Sequence, residues 1–115
     1  IATVPAVAWS GTPTLTANDF VFRYGGGIPN ASGLGYFGAL PALAPFVNAT
    51  RYVGLPLTRL PVQQLDGTGA GAFPIVISPS MVGTTRFYQG YMRDVLHPDG
   101  TGAVVSNALR VVFAN

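Results

Sequence analysis

A chain of 115 residues makes one domain, residues 1–115, large enough to bury roughly two-thirds of the surface its unfolded form exposes. Hydrophobic residues make up 49 % and charged residues 9 %, against ~25 % in an average soluble domain; six scattered Arg and four Asp, with neither Lys nor Glu, leave a net charge of +2. The composition argues against nucleic acid, which needs a basic stripe, and against a transmembrane segment, since Pro and Gly cut every apolar run short of ~18 residues; the lack of Cys removes disulfides, thiolate metal sites and thiol catalysis.

In chain order, residues 1–9 (Ile-Ala-Thr-Val-Pro-Ala-Val-Ala-Trp) are apolar, with Pro5 confining the strand to a sheet edge or to the region next to a bulge. After a turn at Gly11-Thr12-Pro13, residues 14–24 alternate, Phe20, Phe22 and Tyr24 on one face and Val21 and Arg23 on the other. Gly25-Gly26-Gly27 ends that strand, and residues 33–38 form a short Gly-laced one. Pro41, Pro45 and Pro56 break every window from 39 to 60, so a long crossover is expected, with a short extended piece at 50–53. Residues 59–64 begin a strand, Asp66-Gly67-Thr68-Gly69-Ala70 is a tight turn, and 71–77 are rich in strand formers.

Another turn at 79–83 precedes residues 84–94, Thr-Thr-Arg-Phe-Tyr-Gln-Gly-Tyr-Met-Arg-Asp. Phe87, Gln89 and Tyr91 load one face and Tyr88, Gly90 and Met92 the other, the pattern of a central strand covered on both sides. After a turn at 97–103, residues 104–113 close the chain, with Val105, Asn107, Leu109, Val111 and Phe113 expected on one side. No helical apolar stripe exceeds one turn. The fold class is therefore all-β: a single antiparallel β-sandwich, immunoglobulin-like or jelly-roll-like, of seven to nine strands.

The chemistry is sparse. Asp-Gly-Thr-Gly-Ala occurs at 66–70 and again at 99–103, but each copy offers one carboxylate where a calcium loop needs several oxygen ligands, so both read as turns. Gly25-Gly26-Gly27 lacks the Gly-Lys-Ser/Thr ending of a phosphate loop. His97 is the only histidine, no Gly-x-Ser-x-Gly elbow is present, and two of the four Asp sit in turns. No catalytic residue, metal ligand or cofactor site is assigned, and an enzyme is not expected. Arg93 and Asp94 are expected to pair and anchor the following loop. Asn30-Ala31-Ser32 and Asn48-Ala49-Thr50 match the N-glycosylation acceptor pattern in predicted loops.

Several pieces recur together in order: Pro5 to Pro13, Asn18-Asp19-Phe20, Tyr36-Phe37-Gly38, Arg59-Leu60-Pro61, Phe87 to Asp94, and Ser106 to Val111. Their arrangement resembles an uncharacterised β-rich module at the C-termini of large secreted proteins of planctomycetes and myxobacteria-like bacteria. Gly90 and Met92 stand where that module carries aromatics, and its Cys residues are missing here. The resemblance implies a place outside the cytoplasm and a structural or adhesive role.

A surface this poor in charge is either rich in hydroxyls and amides or hidden against copies of itself. The expectation is an extracellular or cell-surface subunit that self-assembles into a filament or layer, Ile1, Val4, Val7 and Trp9 of the N-terminal edge strand forming the contact. The alternative is a carbohydrate-binding or adhesion module that stacks sugar rings on exposed Tyr or Trp, with polysaccharide as the partner. Ile1 opens the chain without a basic n-region and apolar h-region, the form expected of a processed secreted product or an excerpt.

Overall fold

The structure, a computed structural model, describes residues 6–46, 49–93 and 103–115. The strands in chain order are β1 (Ala6–Ser10), β2 (Val21–Gly25), β3 (Ser32–Gly38), β4 (Pro41–Phe46), β5 (Ala49–Val53), β6 (Thr58–Arg59), β7 (Gln63–Gln64), β8 (Gly71–Pro74), β9 (Thr85–Arg93) and β10 (Ala103–Val112). A three-residue 3-10 turn at Pro79–Met81 is the helical element of the described residues. The strands make an all-β sandwich: a three-stranded sheet β1-β2-β8 faces a larger sheet β10-β9-β3-β6, with β7 also on β3, and the β4–β5 hairpin is a separate ribbon. The paired strands run antiparallel. An isolated parallel bridge joins Thr14 to Ala114.

Alternation in β2 dictates the core. Phe20, Phe22 and Tyr24 point inward with Phe73 and Ile75 from the neighbouring segment and meet Tyr88, Met92, Val111 and Phe113 of the opposite sheet, all buried. The Phe22 and Tyr88 rings stack at 5.3 Å, and Tyr24 and Phe73 at 5.7 Å. Burying such a side chain contributes roughly 1.5–3 kcal/mol, so these rings are the main source of cohesion between the sheets. The rings fit because glycines lie beneath them. A Cβ on Gly35 would come 2.9 Å from Phe22, one on Gly90 would come 3.0 Å from Tyr24, and one on Gly33 would strike the Tyr24 hydroxyl.

The central strand is where the pattern put it, with β9 between β10 and β3, register Tyr36↔Gln89 and Leu109↔Tyr88. Four expectations are corrected. The strand over 14–24 is shortened to Val21–Gly25, because the chain turns at Thr14 and Asn18 takes a left-handed φ of 47°. Asn18 then uses its side-chain amide as a stand-in for backbone, accepting from the Ile77 N–H at 2.9 Å and donating to the Ile77 carbonyl at 3.3 Å.

The crossover expected at 39–60 contains the β4–β5 hairpin, and the strand entry expected at 59–64 is split into β6 and β7. Pro41 and Pro45 are tolerated because β4 pairs on one side only and its register slips between Pro41 and Ala44. In β10 a register shift between Val105 and Ala108 turns Ser106 inward and Asn107 out to solvent, so Asn107 leaves the expected face while Leu109, Val111 and Phe113 share the core side. Ser106 Oγ fills the bulge by accepting from the Gly90 N–H at 2.7 Å.

Candidate functional site

One face of the large sheet packs on β1-β2-β8; the other is covered by the β4–β5 hairpin. Strand alternation places Tyr36 of β3 and Phe87, Gln89 and Tyr91 of β9 on this second face, with Ala108 and Arg110 of β10 in register beside Gln89 and Phe87.

Gln89 fastens the hairpin. Its amide is fully buried and makes four hydrogen bonds, which is all its carbonyl lone pairs and two N–H groups can make. Oε1 accepts from Tyr36 Oη at 2.7 Å and from the Tyr52 N–H at 3.0 Å. Nε2 donates to the Thr50 carbonyl at 2.8 Å and to the Ser106 carbonyl at 2.7 Å. Thr50 and Tyr52 face away from β4, so the Gln89 amide completes the β5 edge as another strand would. Burial pushes the Tyr36 phenol above its ordinary pKa while the Arg51 charge pulls it partway back, so Tyr36 stays protonated and donating. At the hairpin base, Gly54 N–H donates to the Leu40 carbonyl at 2.6 Å.

Beside this anchor the hairpin leaves an open groove of about 450 Å³. Pro41, Ala42 and Leu43 of β4 and Tyr52 of β5 form one wall; Phe87, Ala108, Asn107 and Arg110 complete it. The lining is mostly apolar, its polar side chains being Tyr52, Asn107 and Arg110. Leu43 of β4 is 83 % exposed and Tyr52 of β5 partly so, and Leu40 (63 %) and Leu55 (64 %), just outside the hairpin, are exposed as well. Such a surface can bind by apolar packing; it holds no acid–base pair.

The expected contact residues are dispersed. Val7 is half buried against the core and donates its N–H to Asn107 Oδ1 at 2.9 Å, which closes β1 towards β10 at that point. Trp9 is 57 % exposed, and Ile1 and Val4 lie outside the described residues. Arg93 ends β9, while Asp94, its expected partner, lies outside the described residues, as do His97, Asn48 and most of the second Asp-Gly-Thr-Gly-Ala copy. The first copy is a turn. Asp66 Oδ1 accepts from Thr68 N–H (2.8 Å), Thr68 Oγ1 (2.7 Å) and Ala70 N–H (3.0 Å), and these bonds, the Thr68 hydroxyl foremost, lower its pKa. Asn30 is exposed in a left-handed turn.

Among the described residues no three His, Cys, Asp or Glu side chains gather as a metal site would require, and no helix is long and apolar enough to cross a membrane. Sequence reasoning passed over the groove. Its signal was partly present: between Arg23 and Arg51 there is no charged residue or histidine, and β4 falls in this stretch. No protein-family model, curated protein or solved structure matches the chain.

Proposed function

We propose that this protein is a non-enzymatic structural subunit of the extracellular space or cell surface, which associates with copies of itself into a filament or layer. The observation that carries the reading is the exposure of Leu43 on β4 and of Leu40 and Leu55 just outside the β4–β5 hairpin, on a chain with only 9 % charged residues. Contiguous exposed apolar surface costs solvation free energy unless another surface covers it, and in soluble proteins it marks interaction sites. The likeness to a module of large secreted proteins supports the extracellular setting.

The test is the native mass of the purified chain across a wide concentration range, with negative-stain microscopy of the concentrated sample. Association is expected; a solitary monomer throughout, with no visible assemblies, removes the reading. A carbohydrate-binding role draws on the exposed Trp9 and Tyr52 rings, yet these sit on β1 and β5, in different sheets, where a sugar platform needs rings side by side. Retention on a polysaccharide or glycan array, lost on Trp9→Ala or Tyr52→Ala, would favour it.

A further inference from the structure

We infer that the β4–β5 hairpin is a jointed arm, which lifts off the large sheet as a unit at a corner formed by residues 38–40 and 54–57 while the rest of the sandwich stays folded.

The arm is the outer half of one long hairpin. Strands β3 and β6 pair Tyr36 with Arg59 and Phe37 with Thr58, and β4 and β5 pair Ala44 with Arg51 and Pro45 with Thr50. The same number of residues separates Phe37 from Ala44 as separates Arg51 from Thr58, so both halves share one register. At the corner the Gly54 N–H donates to the Leu40 carbonyl, and the register slips just beyond, between Pro41 and Ala44. Such a slip bends a strand pair. The two strands crowd together there. A Cβ on Gly38 would come 2.5 Å from the Gly54 carbonyl oxygen, and one on Gly54 would come 2.9 Å from that of Leu40.

Beyond the corner little holds the arm down. Among the described residues β4 and β5 pair only with each other. Val53, beside the corner, is fully buried, whereas Pro41, Leu43 and Pro45 are exposed and Tyr52 partly so. The backbone of the arm is held to the sheet by the Gln89 amide, through the Tyr52 N–H and the Thr50 carbonyl. The other two bonds of that amide, to Tyr36 of β3 and to Ser106 of β10, lie inside the large sheet. Lifting the arm therefore breaks two bonds at a place that water then reaches, and leaves the two within the sheet intact. Such an opening costs less than unfolding the core. It uncovers Gln89 and Tyr36, both buried while the arm is down, so the arm acts as a strap over that face.

Amide hydrogen exchange by NMR on the full chain tests this, under conditions where reclosing outpaces exchange. Thr50 O and Tyr52 N–H turn towards Gln89, so by alternation Arg51 turns towards Ala44 and carries the arm's own ladder. Lifting frees the Tyr52 N–H and keeps that of Arg51 bonded. Corrected for intrinsic rates, the Tyr52 amide is expected to exchange about tenfold faster than Arg51 or more, with a weaker dependence on urea than the β9–β10 ladder. Phe22→Leu loosens the core, and is expected to speed exchange in the β9–β10 ladder while leaving Tyr52 unchanged. Gly54→Ala crowds the corner, and is expected to speed Tyr52 while the β9–β10 ladder stays protected. Equal protection at Tyr52 and Arg51, or a Tyr52 amide that follows the core in Phe22→Leu, overturns the arm. An unchanged Tyr52 amide in Gly54→Ala overturns the placing of its joint. The wild-type comparison of Tyr52 with Arg51 decides by itself if either variant fails to fold.

Discussion

The hydroxyl of Tyr36 donates a 2.7 Å hydrogen bond to Oε1 of Gln89, its cross-strand neighbour, and both side chains are almost wholly shielded from solvent. Two polar side chains inside an apolar protein are tolerable only if satisfied, and among the described residues no buried side-chain nitrogen or oxygen lacks a partner. The pair therefore reads as a fastener. It joins β3 to β9 and, through the remaining Gln89 bonds, ties both to β5 and β10.

Gln89→Leu preserves bulk but removes the partner of the Tyr52 N–H and of the Thr50 and Ser106 carbonyls. With each buried group left unpaired costing about 1–3 kcal/mol, the expected loss is about 3 kcal/mol or more, since some of the groups will relax towards water. Tyr36→Phe leaves Oε1 still bonded to Tyr52 and is expected to cost about 1 kcal/mol. Urea denaturation measures both, and hydrogen exchange at the Tyr52 amide should speed up in Gln89→Leu even under native conditions. An unchanged Tyr52 amide would show that the hairpin is held by something else.

The glycine floor of the core gives a graded series. Gly33→Ala places a methyl on the Tyr24 hydroxyl and is expected to destabilise by about 1–3 kcal/mol, the range for overpacking. Gly90→Ala meets the ring edge of Tyr24 at 3.0 Å and Ser106 Oγ at 3.3 Å, looser contacts that should cost less. A Cβ on Gly67 meets nothing within 4 Å, so Gly67→Ala should stay within about 0.5 kcal/mol of wild type. Thermal melts of the three variants check the order.

Arg86 sits with its guanidinium carbon 4.0 Å above the Phe37 ring and 5.5 Å from Phe113, and donates to Tyr88 Oη at 3.3 Å. Arg86→Met keeps most of the packing and removes the charge. The expected loss is about 0.5–2 kcal/mol by denaturant titration, the span of cation–π contacts from exposed to desolvated. No loss would mean that the stem, not the charge, makes the contact.

The protein should unfold in alkali through its tyrosines. Burial pushes the Tyr24 phenol up to about 12; Tyr36 and Tyr88 are also raised, mainly by burial, with Arg86 pulling Tyr88 partly back. Each folded value lies above the ~10 of an unfolded chain, so the stability tied to these phenols is complete below pH ~10 and is lost at higher pH, for Tyr24 as the pH climbs through about 12. Ultraviolet difference titration should show three phenols ionising late, together with loss of the folded circular-dichroism signal. Asp66 behaves in the opposite sense: its lowered pKa makes its contribution present above the unfolded value of ~3.9 and lost as the pH falls further, a dependence that Asp66→Asn should remove.

The sequence by itself determined the strand-rich character, the turn at Asp66, the inward set Phe20, Phe22 and Tyr24, and the doubly covered strand around Tyr88, because alternation and turn chemistry are local. Only the tertiary structure decided the rest. The β4–β5 hairpin is hidden in the sequence by Pro41 and Pro45, which break strand windows and are harmless only where a strand has one free side. A glutamine in a strand discloses nothing of four partners lying 17 to 53 residues away. The groove depends on β4, β5, β9 and β10 meeting on one face, and which apolar side chains are left in water is fixed by three-dimensional packing, which no local pattern records.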